Sequence, residues 1–204
     1  MGEDLTMTYL GRDHYTDDEW IDYNRRLCEK YPFLVPYRWR RPDDFDYSYT
    51  EMDGMPDGWR KAFGDLMLED VSDVLRKANF LDKYAIAQIK EKFGSLRWYD
   101  DGVPKWIDDE LHDVIDKYEH ISAWTCIKCG RFPAGYRSSG WIAPYCDKCG
   151  NELVGMTFHP LDDKFDSHLN VSSYYKGERV LDCSGIVERM RPIQDRLFAD
   201  KAIK

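Results

Sequence analysis

The sequence predicts an α+β protein, a mainly helical core with short strands and an embedded four-cysteine zinc-ribbon-like module. Three observations carry this. Apolar residues recur at helical spacing over long stretches, Trp59, Phe63, Met67 and Val71 being the clearest run. Short runs bounded by turn residues, such as 96–100, have strand chemistry instead. Six cysteines include two Cys-x-x-Cys pairs, Cys126/Cys129 and Cys146/Cys149, each followed by a glycine. The expected organisation is a mainly helical core domain over 1–120, a four-cysteine zinc module over 121–152, and a strand hairpin plus C-terminal helix packing on the core over 153–204.

Length and charge bound the rest. A chain of 204 residues is long enough to bury a real core, and an aromatic content of 15% argues against disorder. The net charge of −9 argues against broad attraction to nucleic acid or anionic lipid, because neutralising phosphates needs an excess of Lys and Arg. No apolar run approaches the length of a membrane span, and no apolar signal sequence is seen. A soluble, intracellular protein is expected.

Taken in order, Thr16 with Glu19 three positions later reads as a capping box opening a helix. Trp20, Ile21, Asn24, Leu27 and Cys28 share one face, and Pro32 should end the helix near Lys30. The segment 31–39 is aromatic and punctuated by Pro32 and Pro36, so it reads as extended. Arg38, Arg40 and Arg41, interleaved with Tyr37 and Trp39, match the pattern of single-stranded nucleic-acid sites. Charge pairing with neighbouring Asp43, Asp44, Asp46, Glu51 and Asp53 is the plainer account. The stretch 43–57 reads as a long loop. Asp57 then caps the best helix in the chain, with Trp59, Ala62, Phe63, Leu66, Met67, Val71, Val74 and Leu75 inward. Asp65, Glu69, Asp70 and Asp73 fall on its solvated side.

Gly94 divides the next segment. Before it, Ile86, Ile89 and Phe93 suit a short helix, although alternation of Ala87, Ile89, Glu91 and Phe93 would also suit a strand; after it, 96–100 reads as a strand closed by the turn Asp101-Gly102. Gln88, Lys90, Lys92 and Arg97 form a polar cluster with an ordinary flanking role. From Pro104 to about His120 a second amphipathic helix buries Trp106, Ile107, Leu111, Val114, Ile115 and Tyr118 behind an acidic outer face. After Cys149, 153–159 and 171–183 read as strands with Lys176-Gly177 as a hairpin turn. Ser184 or Gly185 opens a final helix with Ile186, Met190, Ile193 and Leu197 on one face and Pro192 kinking it. His159, Asp162, Asp163, Asp166 and His168 lack diagnostic ligand spacing and read as a surface loop.

Sixteen residues separate Cys129 from Cys146, inside the spacing of a four-thiolate zinc site. Such a shell is closed. It leaves no position for water, so zinc would brace the fold rather than activate a nucleophile. The glycines after each pair suit loops that need positive φ. Disulfides compete with this reading, but cysteines two residues apart more often bind metal or do redox work, and Cys28 and Cys183 standing alone are consistent with a reducing compartment. The matched doubling argues against a thioredoxin-like pair. His112 and His120 are left out because four cysteines complete the shell. Around the module Lys128, Arg131, Arg137 and Lys148 outnumber Asp147 and Glu152. Lys128, Arg131 and Arg137 therefore join Arg38, Arg40 and Arg41 as candidate nucleic-acid or partner contacts.

The runs Lys30-Tyr-Pro-Phe-Leu34, Asp46-Tyr-Ser-Tyr-Thr-Glu51, Met55-Pro-Asp-Gly-Trp-Arg-Lys-Ala-Phe-Gly64, Gln88-Ile-Lys-Glu-Lys-Phe-Gly94 and Leu96-Arg-Trp-Tyr99, with Gly140-Trp141 ahead of the second cysteine pair, resemble an uncharacterised family of phages and of bacterial genomes carrying prophages. The resemblance covers roughly 30–150. It implies a phage or prophage setting, hence the cytoplasm of a bacterial host cell, together with a zinc module. It implies no reaction and carries over no catalytic residue.

The expected function is that of a zinc-stabilised acidic binding protein, non-enzymatic, whose negative potential steers it to a basic surface on a host or phage macromolecular complex. A protein partner is expected, such as a basic nucleic-acid-binding component of a bacterial defence or replication complex. A nucleic-acid-binding zinc protein is the alternative. A hydrolase with an unrecognised site stands third, since no Ser/His/Asp order, phosphate-cradling glycine loop or metal site with a vacancy is seen.

Overall fold

Both halves of the capping box form: the Glu19 carboxylate accepts the Thr16 N–H at 2.8 Å, and the Thr16 hydroxyl accepts the Glu19 N–H at 3.3 Å. They open α1 (Asp17–Lys30) in a computed structural model that describes residues 9–36, 45–161 and 181–199. Tyr23 takes the buried place expected of Ile21. Asn24, the polar residue of that face, donates its side-chain amide to the Tyr47 carbonyl at 2.9 Å.

The cap of the principal helical run lies one residue earlier than expected. Pro56 occupies the capping position, and Asp57 is already the first helical residue of α2 (Asp57–Trp59). Its carboxylate accepts from the Tyr9 hydroxyl. A π-helical turn (Arg60–Gly64) follows, then α3 (Asp65–Lys77). Sequence periodicity gave no sign of Arg60, which is only 3% exposed. Its Nη1 donates to Asp53 at 2.8 Å, and the Tyr9 ring lies 4.1 Å from its guanidinium carbon, so an ion pair inside an aromatic box offsets burial of the charge.

The segment before Gly94 is a strand, which corrects the helical reading. β1 (Ile86–Lys92) pairs antiparallel with β2 (Ser95–Asp100), Ile89 facing Trp98 across the ladder. A bulge between Ile86 and Gln88 shifts the register, so Ile86 and Ile89 are both buried despite their odd spacing. That bulge imitates helical periodicity. Phe93 and Gly94, at φ of 54° and 78°, make the tight turn.

α4 (Lys105–Ser122) packs on α3 and β2. Its buried stripe is Ile107, Leu111, Ile115 and Tyr118. Trp106 corrects the expectation: it lies one residue off that stripe and is 68% exposed. α4 also closes the open edge of β2, because the Ser122 hydroxyl accepts the Leu96 N–H at 2.7 Å and the Glu119 carboxylate accepts the Trp98 N–H at 2.9 Å.

β3 (Tyr136–Ser138), β4 (Pro144–Tyr145) and β5 (Phe158–Pro160) form a second sheet in the order β4-β3-β5, with α5 (Asp147–Asn151) between β4 and β5. Of the strand expected over 153–159 only the end is extended; the strand over 171–183 and its Lys176-Gly177 turn lie outside the described residues but for 181–183, which are not strand. α6 (Ser184–Phe198) carries Pro192 within it and buries Ile186 and Met190. Arg189 of α6 pairs with Asp70 of α3 at 2.7 Å, and the same carboxylate accepts the Tyr118 hydroxyl at 2.6 Å, so α3, α4 and α6 meet at one acid. Among the described residues no helix is long and apolar enough to cross a membrane.

Candidate metal centre

The end of α4 aims the first cysteine pair. The Trp59 indole N–H donates to the Thr125 carbonyl at 2.8 Å, fixing the chain just before Cys126 to the core helix. The loop then closes on itself: the Cys126 N–H donates to the Arg131 carbonyl and the Gly130 N–H to the Cys126 carbonyl, each at 2.9 Å. Gly130 takes a φ of 83°, as the sequence leads one to expect. Gly150 does not, because the second pair lies at the start of α5, and there its N–H simply returns to the Cys146 carbonyl at 2.9 Å. The Ile127 N–H donates to the Pro144 carbonyl at 2.9 Å and draws the two pairs together.

The sulfurs of Cys126, Cys129, Cys146 and Cys149 all lie within 4.8 Å of one another, and those of Cys129 and Cys146 are 3.6 Å apart. Metal–thiolate bonds of about 2.3 Å set tetrahedrally would hold sulfurs about 3.8 Å apart, whereas a disulfide needs about 2.05 Å. All the cysteines are free. The cluster fits a metal ion and can hold one. The Cys126 thiol is pulled below its ordinary range by the hydrogen bond from Cys129, helped by backbone N–H groups of Cys129, Cys146 and Lys128 and opposed by burial. Burial pushes the Cys149 thiol up. Binding a cation would release protons from the remaining thiols.

The module is built into the core on two sides. The Gly58 N–H of α2 donates to the Ile127 carbonyl at 3.0 Å. A Cβ at position 58 would lie 2.3 Å from the Cys126 carbonyl oxygen, so only glycine permits this approach. From the other side Gln194 of α6 grips the loop backbone: its Oε1 accepts the Phe132 N–H at 2.9 Å and its Nε2 donates to the Gly130 carbonyl at 2.8 Å. Sequence reasoning passed over both residues. A glycine one position into a strongly patterned helix is the signal that could have found the first; nothing local marks the second.

The basic residues expected as contacts are dispersed. Lys128 pairs with Glu152 at 2.6 Å across the module. Arg131 stacks over Phe198 at 4.1 Å. Arg137 is 1% exposed, and its Nη2 donates to the Ala123 carbonyl at 3.2 Å, so it is removed from any binding surface: β3 turns it inward beneath the end of α4. Arg38, Arg40 and Arg41 lie outside the described residues. Of the second constellation His159 stands on β5, and Asp162, Asp163, Asp166 and His168 lie outside the described residues. His112 engages Asp108 on its own helix at 2.9 Å.

Set against models of protein families, curated proteins and solved structures, the chain matches none.

Proposed function

We propose that the four thiolates hold one zinc ion as a brace, and that the chain is a non-enzymatic, acidic binding protein of phage or prophage type acting in the cytoplasm of a bacterial host cell. Its target is a basic, nucleic-acid-binding surface on a host or phage complex, a bacterial defence complex among them. The observation that carries the reading is the four-sulfur cluster seated between α2 and α6. A four-sulfur shell leaves the metal no open position, so zinc there fixes a surface and does no chemistry on water.

The charge supports the rest. With a net charge of −9 and acids concentrated at the start of α1 (Asp17, Asp18, Glu19) and along α4 (Asp109, Glu110, Asp113), the protein attracts basic partners through a potential that salt screens. Elemental analysis of purified protein should give one zinc per chain. Capture from bacterial lysate with tagged protein should retain a protein partner at low salt and release it at high salt. Recovery of nucleic acid alone would favour the alternative, and no salt-sensitive protein partner would sink the reading.

A further inference from the structure

The turn between β1 and β2 is poorly chosen for stability. A two-residue turn with both φ positive favours Asn-Gly, yet the first position is Phe93 at φ 54°, a bulky residue where left-handed backbone is an outlier. Packing does not compensate, since Phe93 is 58% exposed. A second large exposed aromatic belongs to the loop packed against this turn. Gly94 abuts Ile142, with a Cβ there falling 3.2 Å from the Ile142 side chain, and the preceding residue in that loop is Trp141, 64% exposed.

Two lysines stand close to exposed rings of this hairpin. Lys92 Nζ lies 5.5 Å from the Phe93 ring, and Lys90 Nζ lies 5.3 Å from the ring of Tyr99, itself exposed. Of the nearby acids, Glu91 lies on the turn itself, its carboxylate accepting the Gly94 N–H at 2.7 Å, while Asp100 is engaged by the Tyr84 hydroxyl at 2.8 Å. At the turn end of the hairpin Lys90 and Lys92 outnumber Glu91, a local excess of cation in a chain of net charge −9. Exposed rings with flanking cations fit unstacked bases and their phosphates; a basic protein would be repelled.

We propose that the β1–β2 turn and the adjoining 139–142 loop form a stacking platform for single-stranded nucleic acid, with bases on Phe93 and Trp141 and phosphates at Lys90 and Lys92. The platform uses none of the acidic faces invoked for the protein partner, so its loss and the loss of that partner are separate results.

The test is fluorescence anisotropy of the full metal-loaded chain with labelled oligothymidylate, oligouridylate and a duplex of equal length. Both single strands should bind in preference to the duplex, weakening as salt rises; preference between the two reports the role of the 2′-hydroxyl. Phe93→Asn suits the turn better, so it should keep or raise thermal stability while weakening binding about tenfold or more, as should Trp141→Ala. Lys90→Ala with Lys92→Ala should flatten the salt dependence, by about 0.7 in log–log slope for each phosphate that is no longer neutralised. Absence of binding at low salt, equal binding of duplex, or full binding by both aromatic variants would overturn the proposal. Capture of an acidic protein by this face without oligonucleotide binding would do the same.

Discussion

The Gly58 N–H meets the Ile127 carbonyl at 3.0 Å, joining the second residue of the core helix to the loop between the first two cysteines. Through that bond and the missing side chain that permits it, the metal site and the hydrophobic core become one packing problem. Gly58→Ala would force a methyl carbon to within 2.5 Å of the Ile127 oxygen, and neither backbone can yield alone. Overpacking of this kind costs about 1–3 kcal/mol or more. Urea unfolding should show a lower midpoint, and a competing chelator should strip metal from the variant faster.

Removing the metal should unfold more than the loop. Structural zinc contributes on the order of 10 kcal/mol to folding in small fingers, and a metal bound here would spend part of such energy on holding α2 and α6 in place. Chelator, or Cys129→Ser or Cys146→Ser, should lower the melting temperature of the whole chain as read by helical circular dichroism. Equal melting with and without metal would remove the bracing role.

Gln194→Ala deletes two hydrogen bonds and leaves the Phe132 N–H and Gly130 carbonyl without their partner. The expected cost is about 1–3 kcal/mol. Hydrogen exchange should show faster opening at α6 and at the first cysteine loop together, whereas a change confined to α6 would mean that the clamp holds only the helix.

Glu119 gives the fold a pH dependence. Burial pushes its carboxyl from an ordinary 4.5 up to about 7, with the Trp98 N–H and Arg97 pulling the other way. The folded state therefore binds the proton more tightly than the unfolded one, and this group's contribution is fully present below about pH 4.5 and lost as pH rises through about 7. Glu119→Gln keeps an acceptor for Trp98 without a titrating charge. Denaturation midpoints at a series of pH values should fall more steeply with rising pH for the natural chain than for this variant across that window.

What the sequence could show followed from how local each signal was. Thr16 and Glu19 are three residues apart and disclose α1, and the cysteine spacing discloses the four-sulfur cluster, because each device is complete within a short window. Ile86 and Ile89 misled because a bulge, visible only once β2 is paired, places both on one face. Trp106 was a local apolar residue that nothing distant chose to cover. The burial of Arg60 and Arg137 depended on aromatic and carbonyl partners from other elements, which no window along the chain contains.

The clamp by Gln194 also governs how the chain could be divided. Segments more than a hundred residues apart in sequence, Gly58 and Gln194, brace opposite flanks of the same small loop. The sulfur cluster is thus a keystone rather than an appendage. A peptide cut out around it would forfeit the abutments that give it shape, and transplanting it into another protein would carry over the ligands without the masonry.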